Sequence, residues 1–313
     1  MKYFKGLSNL GIVLALFASS FNANSIIRRH DLNDSMYLMD QNEYAFNVYW
    51  GCSSSLIHER WLLTAAHCIA GYDGNGISTP SSVEILDVTY FVESEFYHPE
   101  YVSVRQIDYD ERKNDIALVK LQSPVDNVSP VSLYEGDDEL GQDVEIWGFG
   151  HSGDGVAGQV MPCGSEPCSQ ELRRGTSQVS LVSNHELTFR FRSPDEASVT
   201  EFEGHIGNGD SGGAAIIIVD GQRYVVGVGS TGKFNNKPFK YGSNSIYERV
   251  SVHMNWIKEV MGDDFPGEYN GPLYSETNPP ISNDVETDSS GGGGLTLFGL
   301  LLLFTLRIFR IEN

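Results

Sequence analysis

The chain is predicted to be an all-β protein, a sandwich or barrel, over residues 26 to 261. Two observations predict it. Short β-rich runs such as Ser53 to Leu63, Ile116 to Leu121, Val144 to Trp147 and Ala214 to Val219 recur along that span, with Gly, Pro, Asn and Asp between them. Long helical patterns between those runs, the mark of a parallel α/β sheet, are missing. The 313 residues, 40% of them apolar, suffice to close a real core in one large domain or two modest ones.

The elements follow in chain order. Lys2 and Lys5 precede the apolar stretch Leu10 to Phe17 and the small, polar run Ala18 to Ser25, the layout of a secretory signal peptide over residues 1–25. Export is therefore expected. The strand-rich region closes on one convincing helical pattern, Val252, Trp256, Ile257 and Val260, with Gly262 as a stop. From 262 to 294 the chain carries seven acidic residues, no basic ones and many Gly, Pro, Ser and Asn, so a solvated linker without a core is expected. Leu295 to Leu306 is nearly all apolar, and Arg307 and Arg310 behind it read as the cytoplasmic end of a membrane segment, residues 295–313 in all. Extended to Phe309, its 15 residues make about 22 Å of helix against a hydrocarbon core of roughly 30 Å, which favours a temporary anchor over a permanent span.

Acidic residues outnumber basic ones 42 to 21, a net charge of −21 that repels a phosphate backbone, so nucleic acid is not expected as a partner. The charge reads as solubility. Cysteines stand at 52, 68, 163 and 168, an even count suited to two disulfides in an oxidising compartment. The eight histidines form no His-Glu-x-x-His motif and no second two-Cys unit exists, so neither a metal nor a cofactor is expected.

Three segments carry chemistry: Thr64-Ala65-Ala66-His67-Cys68, Asn114-Asp115-Ile116 and Gly209-Asp210-Ser211-Gly212-Gly213. A serine hydroxyl is inert until a base takes its proton, and an imidazole titrating near neutrality can take it and later deliver it to a leaving amine. His67 is the candidate base, Asp115 the group that holds its tautomer, and Ser211 the nucleophile. Glycines around Ser211 let the amides of Gly209 and Ser211 converge on one oxyanion. The order His, Asp, Ser, with separations of 48 and 96 residues, is that of the chymotrypsin-like template.

With these segments, Cys52-Ser53-Ser54-Ser55-Leu56-Ile57, Trp147-Gly148-Phe149-Gly150, Ser230-Thr231-Gly232 and Tyr247-Glu248-Arg249-Val250 leading to Asn255-Trp256-Ile257, the chain resembles the trypsin-like serine peptidases across roughly residues 26 to 261. The resemblance implies two antiparallel six-stranded β-barrels, about 26–140 and 141–261, a C-terminal helix, and a monomer acting on protein or peptide substrates. It implies a Cys52–Cys68 disulfide, with Cys163 and Cys168 closing a small surface loop or remaining a free reactive pair. It also places Ser230 against Asp115 and Asp210 opposite a freed N-terminal Ile26, although Arg28-Arg29 stands where the family has Gly-Gly. No Lys or Arg precedes Ile26, so signal removal after Ser25 is expected to create that terminus directly; cuts after Ser20 or Ala23 are the alternatives.

By the same resemblance the primary pocket is lined by His205, Ser230, Gly232 and Ser245, and His205 replaces the aspartate of enzymes that cut after Lys or Arg. A gap in the alignment would bring in Glu201 or Glu203 instead. Gly207 and Thr231 replace a common cysteine and tryptophan. The tail from Ser289 through the glycines to Arg310 resembles a GlyGly-CTERM sorting signal of exported Gram-negative proteins, which implies transient membrane retention, a rhomboid-type sorting protease and type II secretion to the exterior or cell surface; a simple anchor is the alternative. A catalytically silent binding protein on a protease scaffold is the alternative function, since fold alone does not establish activity.

Overall fold

A computed structural model of the chain describes residues 25–70, 81–105, 110–160, 171–233 and 238–266. Its first half contains β1 (Ile27–Arg28), β2 (Asn47–Tyr49), β3 (Ser53–His58), β4 (Trp61–Thr64), the one-turn helix α1 (His67–Ala70), β5 (Ser82–Ile85), β6 (Val88–Tyr97), β7 (Val102–Arg105), β8 (Asp110–Lys113) and β9 (Ala117–Leu121). There follow β10 (Ser132–Leu133), β11 (Asp143–Gly148), β12 (Gly153–Asp154), β13 (Gly158–Gln159) and β14 (Arg173–Val182). The chain then forms β15 (Glu186–Arg190), β16 (Gly204–His205), β17 (Ala214–Val219), β18 (Gln222–Lys233), β19 (Asn244–Arg249) and the helix α2 (Met254–Met261).

The strands build two six-stranded antiparallel barrels, one ordered β2-β3-β4-β9-β6-β5 and the other β18-β17-β11-β14-β15-β19 with β18 returning to pair with β19. The reason lies in the side chains. Along β14 buried and part-exposed residues alternate, the period of two of a strand with one covered face, whereas β3 is buried almost throughout. Leu56, Trp61, Leu62, Leu118 and Val119 fill the first core, and Val179, Leu187, Phe189, Ile217 and Val226 the second.

Chain order and packing part company at both ends. Ile26 and Tyr37 lie in the second core, and β1 forms a small sheet with β12, β13 and β16, so the N-terminal segment belongs to the second barrel although the first follows it in sequence. Conversely α2 seats Met254, Ile257 and Met261 in the first core. Val252 falls in the 3₁₀ turn before α2, and a further turn, Gly262–Asp264, carries the folded chain past the expected start of the linker. Asp264 Oδ2 accepts a hydrogen bond from Trp61 Nε1 at 2.9 Å and so fastens that turn to the first barrel.

Residues 1–24 of the expected signal peptide, Cys163 and Cys168, most of the linker and the apolar tail lie outside the described residues. The expected membrane segment is corrected by the helices that are described. None is long and apolar enough to cross a membrane. The longer of the two α-helices, α2, has 8 residues, about 12 Å of rise against roughly 30 Å of hydrocarbon. Among the described residues the expected transmembrane helix, transient membrane association, type II secretion, rhomboid-type processing and anchored location therefore have no structural element to rest on.

Candidate active site

His67 opens α1 immediately after β4, behind the fully buried Ala65 and Ala66, and Cys52 and Cys68 are joined by a disulfide that ties this turn to the start of β3. That bond also removes Cys52, His67 and Cys68 from consideration as a metal cluster, since both sulfurs are consumed. Asp115 arrives from the other side of the barrel, after the β7–β8 hairpin. Asn114 takes φ +53°, a left-handed turn that Asn tolerates better than most side chains, and delivers the carboxylate inward.

His67 Nδ1 lies 2.7 Å from Asp115 Oδ2, and Asp115 Oδ1 accepts the His67 backbone N–H at 2.8 Å. The carboxylate thus fixes both ring and backbone. A proton on Nδ1, facing the carboxylate, leaves Nε2 as the basic nitrogen. Ser230 Oγ donates to Asp115 Oδ2 at 2.5 Å, and the Arg112 guanidinium stands 3.8 Å from the same oxygen while bonding the Ser230 carbonyl. Burial opposes charge on Asp115, but His67, Arg112 and Ser230 outweigh it and hold the carboxyl at about 2.

Two of these neighbours were not legible as site residues. Arg112 sits in an ordinary charged run, and Glu248 on β19 reads as one residue of the Tyr-Glu-Arg-Val segment; yet the Asp115 N–H donates to Glu248 Oε2 at 2.9 Å. Burial pushes Glu248 up to about 8, with the nearby Asp115 charge adding to the shift. No spacing rule links residues 112, 115 and 248, so only the folded chain reveals the group.

The Gly209–Gly213 loop packs directly on the strands that lead to His67. Ser53 N–H donates to the Ser211 carbonyl at 2.7 Å, and Ser53 Oγ to that of Gly209 at 3.1 Å. A Cβ on Gly212, at φ +81°, would stand 2.2 Å from Ser53 O and from Thr64 Oγ1, so the approach is closer than any side chain permits. Asp210, Gly212 and Gly213 donate their amides to Gly207, Gly229 and Asp210 respectively. Among the described residues the amides of Gly209 and Ser211 have no such acceptor. Both residues are half-buried, which leaves two neighbouring donors free to face a developing negative charge.

Asp210 points away from this opening into a buried cradle. Its Oδ1 accepts from Gly150 N–H at 2.7 Å, and its Oδ2 from Gly207 N–H at 2.7 Å and Ile26 N–H at 3.3 Å. Gly148 makes room, for a Cβ there would stand 2.0 Å from Asp210 Oδ1. Complete burial raises Asp210 to about 7 despite the three amides. Ile26 itself sits at φ +61°, which a β-branched side chain adopts only under strain. Arg28 and Arg29 leave the cradle: Arg28 bonds the carbonyls of Arg29 and Leu32, and Arg29 pairs with Asp31.

Of the expected pocket residues, Ser230, Gly232 and Ser245 lie on β18 and β19 of the second barrel, and His205 lies on β16 of the small sheet. Gly232 on β18 pairs with Ser245 on β19, Ser245 Oγ accepts the Ile206 N–H at 3.2 Å, and His205 on β16 precedes it. His205 is fully buried against Phe191 and Phe239, and burial pulls its imidazole down to about 4. Glu203 is occupied elsewhere. Its carboxylate accepts bonds from Thr200 N and Oγ1, Arg192 N and Ser177 Oγ inside the barrel, and Glu201 is exposed.

Two six-stranded barrels, with a buried His–Asp pair on the first and an Asp-Ser-Gly loop of the second laid against it, define the chymotrypsin-type peptidase scaffold. The family profile described as Trypsin matches residues 36–257. The chain belongs to the trypsin family and is a serine-type endopeptidase. Among its relatives, a tryptase of Mus musculus is 29% identical over 246 residues, 71% of this chain and 83% of its own. Testisin of Homo sapiens is 29% identical over 234 residues, covering 67% and 70%, and trypsin-1 of Astacus astacus 29% over 226 residues, covering 66% and 86%.

Proposed function

We propose that the chain hydrolyses peptide bonds through an acyl-enzyme on Ser211. His67 Nε2 takes the Ser211 proton as Oγ attacks the carbonyl, Asp115 steadies the imidazolium, and the amides of Gly209 and Ser211 receive the oxyanion. His67 then gives its proton to the leaving amine, and water repeats the sequence to free the acid. The packing of the Gly209–Gly213 loop on Ser53 and Thr64, three residues before His67, carries this reading. A fluorophosphonate probe tests it. Stoichiometric labelling lost in Ser211→Ala is the expected result; unchanged labelling in that variant overturns it, and absence of labelling in the correctly trimmed protein favours the silent scaffold.

The active N-terminus in this proposal is Ile26, released by removal of residues 1–25. Strain supports it. The φ torsion of Ile26 exists only while Ser25 is attached, so cutting that bond relieves a conformation costing about 1–3 kcal/mol and gives Asp210 an ammonium partner. Ser25 is buried, with its Oγ donating to Gly148 O at 2.6 Å, so the cut must precede closure of the cradle, as it does for a chain still crossing a membrane. N-terminal sequencing of active protein should read Ile26-Ile27-Arg28; any other start refutes the route.

Specificity follows from the uncharged pocket. A neutral, buried His205 flanked by Phe191 and Phe239 offers no carboxylate to a Lys or Arg side chain. A peptide-library profile should show cleavage after uncharged residues, and a dominant preference for Lys or Arg contradicts this part of the proposal.

A further inference from the structure

Next to Asp115, whose amide bonds Glu248, three histidines and a carboxylate from four separate segments converge. One donor atom each from His185, Glu248 and His253 lies within 4.8 Å of the other two. His185 is an exposed residue of the turn between β14 and β15, held in place because its carbonyl accepts the Arg249 N–H at 2.7 Å. Glu248 and His253 are buried, and His253 Nε2 lies 2.7 Å from Glu248 Oε1. His98, after β6, brings a further imidazole, its ring centroid 5.1 Å from that of His253.

We propose that His185, Glu248 and His253 form a binding site for a zinc-type divalent cation that reports to the catalytic pair. Two imidazoles and one carboxylate are the donors that zinc and its first-row neighbours select over magnesium or calcium. Metal–ligand bonds of roughly 2.0–2.2 Å bring donor pairs to about 3.4 Å in a tetrahedron, so side-chain rotations of about an ångström complete the site. One residue is already exposed and gives the ion a way in. The net charge of −21 favours cations near the surface.

The link to catalysis is Glu248, whose second oxygen accepts the Asp115 N–H. A cation on Oε1 draws electron density from Oε2, weakens that bond, and adds positive charge beside the carboxylate that must stabilise the His67 imidazolium. Occupancy therefore lowers kcat and leaves KM in place. Binding is measured without catalysis on metal-stripped Ser211→Ala protein by titration with cobalt(II), read by its visible absorption, and displacement by zinc. One equivalent is expected, with affinity reduced at least about tenfold in His185→Ala, an exposed substitution that leaves the fold intact, and similarly in His253→Gln. No bound equivalent, or equal affinity in His185→Ala, overturns the site. In the Ser211 enzyme zinc should lower kcat several-fold and His185→Ala should abolish the effect; zinc bound with kcat unmoved overturns the coupling. The cobalt arm is independent of the acyl-enzyme proposal, so the two can fail separately.

Discussion

At the residue scale Asp115 is where most of the interactions meet. It bonds the ring and backbone of His67, receives Ser230 and faces Arg112, while Glu248 holds its amide. Asp115→Asn keeps the shape but offers Nδ1 a donor where it needs an acceptor, so kcat should fall by roughly 10⁴ with KM nearly unchanged in steady-state assays. Because the folded carboxyl is held at about 2, below its ordinary 3.8, its ionisation stabilises the protein above that ordinary value, and the contribution is lost as pH falls through about 2. The acid limb of a kcat/KM profile should therefore not move in Ser230→Ala; a shifted limb would show that Asp115 itself titrates in the working range.

At the element scale the contact between barrels depends on small residues and on one covalent tie. Gly212→Ala places a methyl group into Ser53 O and Thr64 Oγ1 at a positive φ, and its cost is expected at about 2–4 kcal/mol, seen as a lower urea midpoint. The Cys52–Cys68 disulfide closes a loop of separation 16. Replacing both cysteines by serine should destabilise by about 3 kcal/mol in the same assay and reduce kcat, since the turn bearing His67 loses its tether. Neither effect is expected from Gly221→Ala, where added bulk meets nothing within 4 Å but φ is +79°, so a loss of about 1 kcal/mol is anticipated there.

At the scale of the whole molecule, activation and stability share one buried carboxylate. With residue 25 attached, Asp210 accepts three amides, and burial raises it to about 7 although those amides and the nearby Arg173 charge oppose the shift. A carboxyl raised in the folded state contributes stability that is full below its ordinary 3.8 and is lost as pH rises through about 7, up to about 4 kcal/mol. A chain beginning at Ile26 supplies an ammonium there and should lack this decline until its amine deprotonates near pH 8. Urea midpoints of Ser211→Ala protein beginning at Ser25 and at Ile26, compared from pH 4 to 8, test this; parallel curves would falsify it.

The strand-rich pattern, the closing helix near Trp256 and the segments around His67, Asp115 and Ser211 were legible because each depends on neighbours in sequence: alternation, helical spacing, or a turn that only glycine can make. Packing decided the rest. That Ile26 belongs to the second core and α2 to the first, that His205 is sealed beneath Phe191 and Phe239, and that Arg112 and Glu248 attend Asp115 follow from contacts between segments far apart in the chain. The sequence carried no zinc motif, since His185 is distant from Glu248 and His253. Their meeting is made by the strand pairing of β15 with β19, a long-range hydrogen-bond register that local residue patterns do not encode.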